Sequence, residues 1–176
     1  MTKSSVKHKP LPSQKELKER FIYNETMGRL VYKIPPSPNF KNKEGKPAGS
    51  RHREGGYQVC YKRAVYLHCR LIWMYVYGVD PSDLEIDHIN GNRADDRIQN
   101  LRIATRAQQQ WNVGKTKSNT SGCKGVSFYK RLNKWRADIR LEGRQKNLGY
   151  FTTLEEAKVA YQKAADALHK EFKNYG

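Results

Sequence analysis

An aspartate and a histidine stand side by side at Asp87 and His88, where the apolar run "LEI" gives way to the polar stretch "NGNRADDRIQN". Amide side chains follow at later fixed positions. A carboxylate and an amide oxygen can hold a hard divalent cation, magnesium above all, through oxygen ligands. A neighbouring imidazole can take a proton from water and turn the water into a nucleophile. A metal held beside it can neutralise the oxygen that departs when a phosphodiester breaks. This is the donor set of a metal-assisted hydrolase.

The chain as a whole suits such a substrate. Lys and Arg number 34 against 17 Asp and Glu, giving +17 over 176 residues. That excess fits a polyanion whose counterions it can release, so nucleic acid is the leading partner. A membrane fits poorly, because the most apolar run, "LIWMYVYG", is far too short to span a bilayer. The start "MTKSSVKHKPLPSQK" lacks the apolar stretch of a secretory signal, so a cytoplasmic location is expected. Cys60, Cys69 and Cys123 are odd in number and never spaced as CxxC. They point neither to a disulfide framework nor to a cysteine zinc site. The apolar share of 37% limits any core to small units.

The elements that must position the Asp-His pair are short. Ile86 ends a strand, residues 90–99 form a polar loop with Gly91, and "LRIA" (101–104) is a second strand. Thr105 and Gln108 form a capping box for a helix through Trp111. Upstream, Ser13 and Glu16 cap a helix in "SQKELKERFIYN", and "GRLVYKI" alternates like a strand. "GYQVCYKRAVYLHCRLIW" reads as a hairpin turning near Lys62 and Arg63, then an apolar helix ending at Gly78. Residues 1–12 are expected to be a disordered basic tail, and "VGKTKSNTSGCK" a linker. Three strands, "GVSFY", "KWRADIRLE" and "RQKNLGYF", precede a helix opened by Thr153 and Glu156. The fold class is α+β, divided as tail 1–12, domain 13–112, linker 113–120 and domain 121–176.

"EIDHINGNRADDRIQNLRIATRAQQQWN" resembles the core of HNH homing endonucleases of phages and mobile introns. The lead-in pieces "YNETMGRLVYK", "AGS", "GGYQV" and "LHCRLIW" resemble theirs as well, so the likeness covers roughly residues 17–112. It implies a ββα-metal motif, one Mg2+ or Mn2+, and double-stranded DNA as substrate. His88 matches the general base and Asp87 a metal ligand. Asn100 matches the asparagine that braces the loop and orients the histidine. Gln109 stands where the family usually has a metal-binding Asn, which lengthens that ligand by about 1.5 Å, one carbon–carbon bond. Metal sites are sensitive to errors of roughly 1 Å. Asn112, one turn on, is a second candidate ligand. Asp96 stands where Asn is more frequent, and Cys69 where His often precedes Arg70; neither is expected to be catalytic. His8, His52, His68 and His169 are read as surface or packing residues.

"KGV", "KWRADIR", "LGYF" and the "EEA…AY…AA" pattern of the last helix resemble the APETALA-type DNA-binding domain of plant ethylene-response factors, over roughly residues 121–170. Alternation sorts its strands into two faces. Val126, Phe128, Trp135, Ala137, Ile139, Leu141 and Leu148 should pack under the helix. Ser127, Tyr129, Arg136, Asp138, Arg140, Gln145 and Asn147 should face outward. With Arg131 in the turn, that face suits a sheet laid into the major groove, where Arg reads guanine and amides read adenine. The plant domains often have Arg on the first strand and Trp on the third, so their target does not carry over.

The expected activity is a homing-type, metal-dependent DNA endonuclease. One site per chain should nick one strand, with the C-terminal sheet selecting the position. The chain is expected to be monomeric, with no small-molecule cofactor besides the metal. The competing reading is a DNA-binding regulator whose nuclease module has decayed, for which Gln109 is the best support.

Overall fold

The structure, a computed structural model, describes residues 9–116, 118–141 and 143–175. The chain is mixed α/β and divides into two compact units, residues 1–103 and 104–176.

In the first unit, α1 (Gln14–Arg20) starts at Ser13, whose side chain and Glu16 close a reciprocal capping box. It runs directly into β1 (Phe21–Asn24), which pairs antiparallel with β2 (Arg29–Tyr32). β3 (Ser50–Arg51), β4 (Tyr57–Tyr61) and β5 (Ala64–Leu67) form an antiparallel sheet in that order. Lys62 and Arg63 both take positive φ in the β4–β5 turn, the twist a two-residue hairpin needs. α2 (His68–Tyr77) follows without a loop and ends on a left-handed Gly78. β6 (Glu85–His88) and β7 (Leu101–Ala104) make a two-stranded sheet.

Leu17, Phe21, Leu30, Val59, Leu71 and Ile72 fill the core beneath these pieces, with Ile86 and Leu101 from the β6–β7 pair. Of the tail, residues 1–8, including His8, lie outside the described residues. Leu11 packs against the core and its N–H donates to Asp80 Oδ2 at 3.3 Å.

The second unit opens with α3 (Arg106–Asn112), capped by Thr105 and Gln108 as the spacing predicts. β8 (Val126–Tyr129), β9 (Lys134–Leu141) and β10 (Arg144–Phe151) form an antiparallel sheet with β9 central. α4 (Leu154–His169) is capped by Thr153 and Glu156. Ala157, Tyr161 and Ala165 of α4 pack on Val126, Ala137 and Ile139 of the sheet. Gly125 permits that closeness, since a Cβ there would meet the Tyr161 ring at 2.3 Å.

Phe128 departs from the alternation. It is 43% exposed and packs edge-on against Trp135 at 5.1 Å, because it lies near the end of the edge strand. Trp111 stacks on His169 at 4.6 Å, and Asn174 donates to the Asn112 carbonyl at 2.7 Å. These contacts tie α3 to the chain's end, so the compact unit begins before α3, whereas the domain boundary expected from composition falls after it. Among the described residues, no helix is long and apolar enough to cross a membrane.

Candidate functional site

The strand β6 delivers Asp87 and His88 to its end, both buried, at 4% and 9% exposure. A turn follows in which Gly91, at positive φ, donates its N–H to the His88 carbonyl at 2.8 Å. The loop is knitted by its own amides. Asn100 Nδ2 donates to Asn90 Oδ1 at 3.0 Å and to the Asp95 carbonyl at 2.8 Å. Its Oδ1 accepts from the Asn90 N–H at 3.0 Å, and its carbonyl accepts from the Ile89 N–H at 2.9 Å. Asp95 takes a two-pronged contact from Arg97, at 2.7 and 2.6 Å. That guanidinium holds the Asp95 carboxyl down to about 2.

Asp87 Oδ2 accepts from Arg102 Nε at 2.9 Å, with Nη2 at 2.8 Å. Both residues belong to the paired strands β6 and β7, which bring them face to face across positions far apart in the loop-linked sequence. A buried carboxylate is costly unless it is paired with a cation, and here Arg102 supplies one.

His88 Nε2 lies 2.7 Å from Asp96 Oδ1, and the other oxygen of Asp96 lies 2.6 Å from His68 Nδ1. His68 Nε2 accepts in turn from the Leu30 backbone N–H at 3.0 Å. His68 is 0% exposed and Asp96 1%. Burial pushes the His68 imidazole below its ordinary value, despite the opposing pull of Asp96. Burial alone would raise the Asp96 carboxyl, but the bonds from His68 and then His88 outweigh it and hold it low. The Cys69 thiol, buried beside them, is pushed up to about 12 by burial.

His68, read from sequence as surface or packing, and Asp96, not expected to be catalytic, are thus joined to the candidate base. Nothing local in the sequence marks the link, since the two residues meet only through tertiary packing. The available signal was a histidine opening a helix that is apolar apart from Arg70. Cys69, His88 and Asp96 each offer one ligand atom within 4.8 Å of the others, a set that could hold a metal ion. Asp96 is committed through both oxygens to imidazoles, and the sulfur is a soft donor better suited to zinc than to magnesium. Asp87 and Gln109 offer only oxygens, the chemistry that fits a hard divalent cation. Gln109 lies half-buried on α3 in the second unit, and Asn112 is buried there.

The outward face of the C-terminal sheet is set by its register. Ser127 pairs with Arg136 and Arg136 with Tyr150; Asp138 pairs with Asn147 and Arg140 with Gln145. A bulge between Asn147 and Gly149 shifts the alternation by one, so Tyr150 joins this face. Arg136 Nε sits 2.7 Å from Asp138 Oδ2, and Asn147 Nδ2 donates to Asp138 Oδ1 at 3.2 Å. Tyr129 packs against Tyr150 at 5.4 Å, under the Arg136 guanidinium at 5.7 Å. Arg131 is exposed in the short turn after β8, and Arg140, Gln145 and Asn147 are exposed as well.

Residues 65–110 match the family model described as HNH endonuclease. Protein 3.8 of Escherichia phage T7 is 36% identical over 104 residues, covering 59% of this chain and 85% of that protein. An uncharacterized HNH endonuclease of Acanthamoeba polyphaga mimivirus is 32% identical over 120 residues, covering 68% of this chain. The match spans 62% of the mimivirus protein. No solved structure matches the chain.

Proposed function

The chain belongs to one family with phage T7 protein 3.8 and carries an HNH endonuclease domain, and from that premise we propose that it is a metal-dependent DNA endonuclease of the homing type. The observation that carries this reading is the buried Asp87–His88 pair at the end of β6, inside the matched segment. In this reading His88 takes the proton from the attacking water. Asn100 holds the loop that fixes the histidine's position. Asp87 and Gln109 would hold one Mg2+ or Mn2+, which supplies charge neutralisation at the departing oxygen. Strands β6 and β7 with α3 correspond to the ββα-metal motif. One Asp-His pair per chain corresponds to one nick per active site, by a monomer acting on duplex DNA inside a host cell.

The C-terminal sheet acts as the site-selecting module, an APETALA-type domain in this reading. Its support is the outward face of Ser127, Tyr129, Arg136, Arg140, Gln145 and Asn147, with Arg131 at the rim. Arg and amide side chains there have the donors and acceptors that read base edges in a major groove. Exposed cations elsewhere, such as Lys46 and Arg53, position the duplex through its phosphates.

The test is cleavage of plasmid carrying the DNA that flanks the gene, with magnesium or manganese and with EDTA. Divalent-dependent cleavage is expected, and His88→Ala should reduce it by about 10²–10⁴-fold, the usual contribution of a general base. Undiminished cleavage by that variant removes His88 from the role. Tight DNA binding without any cutting favours a regulator instead, and Gln109→Asn would then show whether the longer ligand is the cause.

A further inference from the structure

We infer that Asp96 and His68 are positioning residues that fix the tautomer of His88, so that Nδ1 is the atom that takes the proton from water. The inference rests on the reading of His88 as the base and extends it to two side chains brought in from other elements. The reasoning starts from a backbone amide. The Leu30 N–H on β2 points at His68 Nε2 at 3.0 Å, and an N–H can only donate. His68 Nε2 therefore carries a lone pair, and the proton of this neutral ring sits on Nδ1. That proton meets Asp96 Oδ2 at 2.6 Å. The second oxygen of Asp96 meets His88 Nε2 at 2.7 Å, and a carboxylate can only accept. The proton of His88 accordingly sits on Nε2, which leaves the lone pair on Nδ1. His68 and Asp96 are fully buried, so water does not compete for either oxygen.

The chain of bonds runs from β2 through the first residue of α2 and the loop residue Asp96 to the end of β6. A rigid, fully satisfied network of this kind holds a base in one orientation and one protonation pattern. It also explains why an acid at 96 differs from an amide. An amide has one accepting and one donating end. The fixed His68 Nδ1–H demands the accepting end, so the donating end must face His88 Nε2. His88 would then hold its proton on Nδ1, the wrong nitrogen for a base.

The experiment compares the full-length wild type with Asp96→Asn and with the double variant Asp96→Asn, His68→Ala. Nitrogen-15 spectra of the imidazoles, recorded in EDTA and assigned by loss of the His88 signals in His88→Gln, read the tautomer without any cleavage. The wild type should show His88 protonated on Nε2, and Asp96→Asn should reverse it. Cleavage by Asp96→Asn should fall by about 10²–10⁴-fold in kcat, with KM for DNA nearly constant. The double variant releases the amide from His68 and should recover part of that loss, whereas a merely structural role predicts a further fall. A wild-type His88 protonated on Nδ1 overturns the inference, as does an Asp96→Asn protein that keeps both tautomer and kcat. If a variant fails to fold, the wild-type spectrum still decides. Cleavage by His88→Ala at the wild-type rate would instead remove His88 from the role of base, and the spectra would still decide the tautomer.

Discussion

Arg102 is the residue whose role sits closest to the metal question, because it already neutralises Asp87. Its Nε and Nη2 lie 2.9 and 2.8 Å from one carboxylate oxygen, and the carboxylate is 4% exposed. A divalent ion on Asp87 would have to share it with this guanidinium or displace it. The arrangement makes a distinct prediction for Arg102→Gln, in which the cation is lost and a neutral side chain remains. In EDTA the variant should be less stable by up to roughly 3 kcal/mol, since the buried carboxylate loses a cationic partner. Added Mn2+ should then raise its Tm by more than it raises that of the wild type, because binding to the folded state alone is stabilising. Thermal melts with and without Mn2+ check both halves. Equal Tm increments in the two proteins would mean that Arg102 and the ion do not compete.

At the scale of elements, the His68–Asp96 bridge joins α2 to the loop between β6 and β7, and its protonation sets how the first unit tolerates acid. His68 has a folded value below its ordinary 6.5, so below pH 6.5 the unfolded chain binds a proton that the folded chain refuses. Stability must therefore fall as the pH drops through that range. Asp96 is held below its ordinary 3.8, so a second loss follows at lower pH. Both act in the same direction, and denaturant midpoints measured between pH 7.5 and 4.5 should decline. His68→Gln should flatten the decline above pH 4.5; an unchanged slope would assign the acid sensitivity to other groups. This bridge also marks what the sequence conceals. Capping boxes at Ser13, Thr105 and Thr153 and the turn at Lys62–Arg63 are legible, because each is closed by residues three apart or by local φ alone. The Asp87–His88 pair is legible because strand and loop meet at one point in the chain. The partnership of His68 with Asp96 is not, since it depends on how a helix start meets a distant loop. Tyr150 was missed for a related reason: the bulge at β10 is set by pairing with β9, and it changes which face a side chain takes.

For the whole molecule, the proposed function divides the 34 cations, set against 17 anions, between two tasks that salt can separate. Contacts to phosphate release counterions, so each one steepens the fall of log K with log salt by about 0.9. Contacts to base edges add discrimination with little effect on that slope. Lys46 is an exposed cation of the first unit, and Arg140 stands on the outward face of the C-terminal sheet opposite Gln145. Lys46→Ala should weaken binding to every duplex alike and lower the slope by about 1. With Arg140 proposed as a base reader, Arg140→Ala should cost about 1–3 kcal/mol against the preferred site and far less against unrelated DNA. The measurement is a set of binding titrations in EDTA between roughly 50 and 200 mM salt, the range over which counterion release is resolved. They use a duplex selected from a random pool and a scrambled duplex of equal length. If Arg140→Ala weakens both duplexes equally and lowers the slope, that side chain holds phosphate rather than a base. Sequence selection would then have to come from elsewhere on the chain.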